Sequence, residues 1–346
     1  VYGAAIQHIA IISKNNIGRK NMNMLWKHFV AIFVILSTTI SFAADDNFPN
    51  KPVRLIVPYA SGNVTDVVGR EVASALAQLW GQSVIVVNIA GAGGSIGLTS
   101  GARVAPDGYS LTLVAMSALA ITPRLTKGGV SYDAIRDFSH IGMVATPYAF
   151  LAINSKLPVN NWQELAAYAR NKTGEPLFYL NPGIGTISHL NMELISRALN
   201  FPVQGVVYKG SAEGMPDLLA SRLQLTIDPI SVTLSHVQSG ALRPLAYTGP
   251  TRHPSYPNVP TIKEIAPQSG VSPVWLGLVG PKGIPTSLVD KISKDLRAIL
   301  ATKEFAARMP AGLIVSPTTP AELTDQIRRD IDRFGRLLTE LNIGPE

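Results

Sequence analysis

From about residue 50 to the end of the chain, short runs of β-branched and aliphatic residues alternate with longer stretches whose apolar positions recur every three or four residues. The short runs, bounded by Gly, Pro or Asn, read as strands; the three-four spacing marks one buried face of a helix. The pattern predicts strands at 53–57, 84–88 and 110–115, with helices over 65–80 and about 95–103 between them. Pro106-Asp107-Gly108 supplies the turn before the third strand. Strands separated by helices in this way form a doubly wound unit.

A second series begins near Ala145, with strands predicted at 150–154, 177–180, 203–207, 223–227 and 242–247 and helices over 161–170, 189–199 and 212–220. A Pro-rich stretch, 254–260, and then 272–279 carry the chain back to the first unit, which helices over 287–301, 303–307 and 320–341 complete. The sequence therefore predicts an α/β fold of two domains, each a mostly parallel sheet flanked by helices. Residues 44–145 with 270–346 make one domain, and 146–269 the other. No internal repeat at a fixed period is visible.

Composition narrows the chemistry. With 46% of its 346 residues hydrophobic and 15% charged, the chain can bury two cores and is no disordered polyelectrolyte. It contains no cysteine, which removes disulfides, thiolate metal sites and a cysteine nucleophile. No His or carboxylate pair has metal-ligand spacing and no phosphate-cradling G-x-x-x-x-G-K motif is present, so no metal or cofactor is expected.

The N-terminus sets the expected compartment. After Met22 or Met24 come Lys27, an apolar run over 29–36, a small polar stretch, and Ser41-x-Ala43. These are the three regions of a signal peptide over 22–43, with cleavage near Ala43 and export to the periplasm. The run is shorter than the roughly 20 apolar residues that span a bilayer. Residues 1–21 read as an upstream extension. Residues 1–43 hold Lys14, Arg19, Lys20 and Lys27 and no acid, so removing them lowers the formal net charge from +7 to +3. The remaining cations are scattered, without the basic stripe of a nucleic-acid binder, and a mildly positive body suits anionic solutes.

Three times a strand runs into a small-residue loop that opens a helix: PYASGNVTD (58–66), AGAGGSIG (90–97) and NPGIGTISH (181–189). Glycine allows close backbone approach, and the helix start behind each loop offers unpaired N–H groups and the positive end of the helix dipole. Each loop alone is also an ordinary strand-to-helix turn. Three of them split between two domains would face one another across a cleft and hold an anion.

With PDGYSL (106–111), YKGSAEGMPDLL (208–219), LAYTGPTRHP (245–254), PNVPTIKE (257–264) and WLGLVGPKGIP (275–285) following in order, the chain resembles the Bug family, the periplasmic receptors of tripartite tricarboxylate transporters. The resemblance runs over residues 48–346. It implies a Venus-flytrap of two α/β domains, as in other periplasmic binding proteins, that binds a small organic carboxylate or amino-acid-like solute as a monomer and works with two membrane permease subunits. It is similar enough to carry residues across: Tyr59, Ala60, Gly62, Asn63 and Asp66 with Met116 and Ser117 would line one wall, and Thr186, His189, Tyr208, Lys209 and Asp228 the other. The chain departs from the family at Ser61-Gly62-Asn63, where Pro-Gly-Gly is usual, at Ile89-Ala90, and at Val207.

Single residues keep plainer roles beside these. Asp66, Thr186 and Ser188 suit helix caps, His189 a structural histidine, Lys209 a solvated loop charge, and Trp275 core or hinge packing. Two other function classes are open. Gly93-Gly94-Ser95-Ile96-Gly97 follows a strand and matches the G-x-S-x-G elbow of serine hydrolases, although upstream of that strand only 53–57 precedes it in the mature chain, where such a hydrolase has several strands. A receptor for a sensor kinase would share every feature above.

Overall fold

The computed structural model describes residues 48–171 and 176–345. The expected upstream extension, signal peptide and cleavage point lie outside the described residues, which fall in one compact unit spanning Asp46–Glu346.

The first sheet has six strands in the order β11-β4-β10-β3-β1-β2. They are β1 (Val53–Val57), β2 (Val84–Asn88), β3 (Ser110–Ala115), β4 (Phe138–Pro147), β10 (Leu276–Pro281) and β11 (Leu313–Val315). The second has five, β7-β6-β8-β5-β9. They are β5 (Ala149–Asn154), β6 (Leu177–Asn181), β7 (Val203–Val207), β8 (Leu225–Pro229) and β9 (Leu242–Tyr247). The helices are α1 (Val64–Trp80), α2 (Ser95–Ala102), α3 (Met116–Ala120), α4 (Thr122–Leu125), α5 (Trp162–Asn171), α6 (Ile187–Leu199), α7 (Ser211–Leu219), α8 (Ile230–Gln238), α9 (Ile262–Ile265), α10 (Thr286–Leu300), α11 (Lys303–Arg308) and α12 (Pro320–Glu340).

The sheets are mixed. β1 pairs in parallel with β2 and β3, and β6 with β7 and β8, as their connecting helices require. β10 runs antiparallel between β3 and β4, β11 runs antiparallel to β4, and β5 runs antiparallel between β8 and β9. The reason is the path between sheets. β4 passes into β5 across Tyr148 alone, and the chain returns only after β9, so the returning strand enters the first sheet from the opposite end.

The strand β4 is longer than any predicted strand and was not expected, because Ser139, His140 and Gly142 break its apolar run. β8 also sits two residues later than predicted, extending through Asp228. Helices α3 and α4 and strand β11 are too short to show a helical or alternating period, and α8 was not predicted because its apolar residues Ile230, Val232 and Leu234 alternate as in a strand.

Each sheet is covered on both faces. Leu55, Leu113, Leu278 and Ile292 belong to one core cluster of the first sheet, and Met116, Leu119, Trp275 and Phe334 to the other. The second sheet alternates likewise: Leu151, Ile153, Tyr179 and Ile227 on one side, Phe150, Ala152 and Leu180 on the other. Fully burying a Leu or Phe side chain stabilises by roughly 1.5–3 kcal/mol. One helix serves both sheets: α6 places Met192 and Ile195 against the second sheet, while Leu190 joins the cluster of Trp275 and Phe334.

Candidate functional site

The first loop leaves β1 at Pro58. Asn63, in extended conformation, caps α1, its Oδ1 accepting the Thr65 N–H at 2.9 Å. The sequence assigns a cap to Asp66; the structure gives that role to Asn63 and turns Asp66 back on the loop. Asp66 is 1% exposed. Its carboxylate accepts the Gly62 N–H at 2.9 Å, Arg70 Nε at 2.9 Å, Asn88 Nδ2 at 2.8 Å and Ser61 Oγ at 3.4 Å. Burial pushes its carboxyl up, but Arg70, the Gly62 N–H and Asn88 outweigh this and hold it at about 2. Asn88 also donates to Tyr59 O at 3.0 Å. Asp66 is therefore a brace, under a loop whose Ala60, Ser61, Gly62 and Asn63 stay exposed. Sequence reasoning missed Arg70 and Asn88. The Asp66/Arg70 spacing of four on one helix would have revealed the first; Asn88 lies on another strand and carries no local signal.

The second loop passes through left-handed backbone at Ala92, Gly93 and Gly94 before α2 begins. Gly97 is required by close approach, since a Cβ there would lie 2.6 Å from both Pro58 Cβ and Ile89 O. The two loops are thus seated on each other. Tyr59 extends the contact: its hydroxyl hydrogen-bonds the Ser117 side chain, burial raises its pKa, and it lies against Gly94. Ser117 belongs to α3, whose first residue, Met116, is wholly buried and donates its N–H to Trp275 O at 3.0 Å. Of the expected pair, Ser117 meets the loops and Met116 lies beneath them.

The third loop, on the second sheet, is held by its own side chains. Asn181 Oδ1 accepts the Gly183 N–H at 3.0 Å, and Thr186 Oγ1 donates to Gly183 O at 2.7 Å while accepting the His189 N–H at 3.3 Å as the cap of α6. His189 Nδ1 accepts the Gly185 N–H at 3.0 Å. The loop reaches the first sheet's helices at Gly185, which abuts Leu125 and Ile121, just as Gly93 of the second loop abuts Thr122. A continuous series of close approaches therefore joins all three loops through α3 and α4.

The remaining candidates flank α7. Tyr208 donates its hydroxyl to Asp217 Oδ2 at 2.7 Å, and that bond, with burial, pushes its pKa up to about 12. Lys209 is exposed, its backbone N–H donating to Glu213 Oε2 at 2.7 Å. Asp228 is fully buried and accepts hydroxyl hydrogens from Ser188, Ser211 and Thr226. It lies under the helix starts, not at their surface.

The arrangement brings the positive dipole ends of α1, α2 and α6 up behind braced loops, which is chemistry for holding an anion, while the Gly62, Thr65, Gly183, Gly185 and His189 N–H groups are taken up within the loops themselves. Among the described residues no group of three His, Asp or Glu side chains gathers as a metal site. Ser95, 8% exposed, follows β2, which is the edge strand of its sheet.

The profile of the tripartite tricarboxylate transporter family receptor matches residues 68–343. The chain belongs to this family. Among individual members, BugT of Bordetella pertussis is 31% identical over 305 residues, 87% of this chain and 93% of BugT. The periplasmic binding protein BugD superposes with a TM-score of 0.72 at 33% identity, covering 86% of this chain and 100% of BugD. Rpa4515 of R. palustris, solved with adipate, gives a TM-score of 0.74 at 29% identity over 86% of this chain and 100% of its own. The fold is that of the periplasmic binding proteins of the Bug and tripartite tricarboxylate receptor type, and the family is one of periplasmic solute-binding receptors rather than enzymes. No helix among the described residues is long and apolar enough to cross a membrane.

Proposed function

We propose that this receptor captures a small carboxylate-bearing solute between its two sheets, in the periplasm after signal-peptide cleavage, and delivers it to the membrane permease subunits of a tripartite tricarboxylate transporter without catalysing a reaction on it. The observation that carries the reading is the linked set of loops: Asn63-capped α1 and the Gly-rich start of α2 on one sheet, and Thr186-capped α6 on the other, all meeting α3 and α4. The starts of α1 and α6, helices of 17 and 13 residues, would each turn a positive dipole end toward the same anion. Adipate in Rpa4515, a dicarboxylate in a relative of the same fold, supports the ligand class.

In this mechanism the described residues of 44–145 with 270–346 form one lobe and those of 146–269 the other, and Tyr59, Ala60, Gly62, Asn63 and Ser117 face Thr186, His189, Tyr208 and Lys209. Solute carboxylate contacts favour the closed arrangement, which the permease distinguishes from the open one. The experiment is a thermal-shift screen against mono-, di- and tricarboxylates, amino acids and aromatic acids. A carboxylate that raises Tm saturably supports the reading; a protein unmoved by every carboxylate while an ester is turned over at Ser95 refutes it.

A further inference from the structure

The second sheet buries one carboxylate that solute capture, as proposed, does not touch. Asp228 sits near the end of β8 with no solvent exposure. Its Oδ1 accepts Ser211 Oγ at 2.8 Å and Ser188 Oγ at 3.2 Å, and its Oδ2 accepts Thr226 Oγ1 at 2.8 Å. A carboxylate buried without donors is strongly unfavourable, so the hydroxyls are what make this position tenable.

Two of those hydroxyls come from helices on opposite faces of the sheet. Ser188 lies in the first turn of α6, whose Met192 and Ile195 pack with Tyr179 and Ile227. Ser211 opens α7, whose Met215 and Leu218 pack with Phe150 and Leu180 on the other side. Hydrophobic contacts fix how far each helix stands from the sheet but constrain its position along its axis less sharply than a directional hydrogen bond does. A single oxygen accepting from both helices supplies that sharper constraint at their N-terminal ends.

We infer that Asp228 is a positioning residue: by holding Ser188 and Ser211 on one carboxylate oxygen it sets the first turns of α6 and α7 in register, so that both present their positive dipole ends at one end of the second sheet. The register is a property of the ligand-free protein; only its consequence for solute affinity rests on the proposed function.

Amide hydrogen exchange on the whole protein without ligand tests it in Ser188→Ala, Ser211→Ala, Asp228→Asn and Asp228→Ala. Burial pushes the Asp228 pKa up and the three hydroxyls act against it; losing one of these hydrogen bonds to a buried carboxyl corresponds to roughly tenfold faster exchange. Ser188→Ala should show this at Leu190 and Asn191 with α7 unchanged, Ser211→Ala at Gly214 and Met215 with α6 unchanged, and Asp228→Ala at both. Asp228→Asn keeps one carbonyl oxygen for both serines and should stay within about threefold of wild type at both starts. In adipate titrations the serine variants should bind roughly tenfold more weakly and Asp228→Asn near wild type. Unchanged exchange in the serine variants, or equal acceleration across both helices from either one, overturns the inference. Should Asp228→Ala fail to fold, the serine and Asn variants decide alone. Wild-type protein that ignores adipate would count against that dicarboxylate as solute, while the exchange pattern still reads the register.

Discussion

Leu125 fills the notch left by Gly185: a Cβ on Gly185 would lie 1.9 Å from Leu125 Cδ1. The two residues belong to helices and loops of different sheets, and Gly185 has a positive φ of 73°, which disfavours any side chain. The contact sets how closely the third loop approaches α4.

Gly185→Ala should therefore destabilise the protein by roughly 1–3 kcal/mol through overpacking and backbone strain. Adding Leu125→Ala should recover the overpacking part and leave the strain. Urea melts of the two single variants and the double variant check this; strictly additive losses would show that the residues do not press on each other.

Asp66 makes stability depend on acidity. Its folded pKa of about 2 lies below the ordinary 3.8, so its contribution is fully present above about pH 4 and is lost as pH falls through 2. Allowing for the water around half-exposed Arg70, that contribution is about 1 kcal/mol. Asp66→Asn should flatten the stability profile between pH 4 and 2, as measured by denaturant titrations at each pH.

Asn63 separates capping from solute choice. Replacing a good N-cap by Ala costs about 1 kcal/mol, but by Gly only a few tenths. Asn63→Gly should leave Tm nearly unchanged while altering which carboxylates shift it, and Asn63→Ala should lower Tm as well. A thermal-shift panel run on both variants distinguishes them from a loop with no part in binding, for which the ligand ranking would not change.

Ser95 offers the sharpest contrast between receptor and hydrolase. Ser95→Ala should bind solute with wild-type affinity if the glycines around it serve only to seat α2, Gly97 against Pro58 and Ile89, Gly94 against Tyr59 and Gly93 against Thr122. Isothermal titration and an ester-turnover assay on the wild type and variant settle the matter; turnover that disappears with the hydroxyl would require the elbow reading.

Much of this protein was legible in its sequence because the relevant forces are local. The strands β1, β2 and β3 and the helices α1, α10 and α12 fall within a residue or so of where apolar spacing places them, since burial of one face imposes its own period on the chain. The glycine-rich loops and the ordered series of family segments were equally readable; the family profile covers the second and third loops and the later segments, from residue 68 to 343, but not the first loop at 58–66.

What the tertiary structure alone decided is where separate segments meet. Nothing near Asp66 in sequence points to Asn88, and nothing near Asp228 points to Ser188 and Ser211 together. The antiparallel course of β10 follows from a return path through another sheet, and the double allegiance of α6 follows from Leu190 reaching a core that its own sheet does not supply. Local pattern chooses which face of an element is buried; the partner that buries it is chosen only when distant segments are packed together, because packing and hydrogen bonding act through space while periodicity acts along the chain.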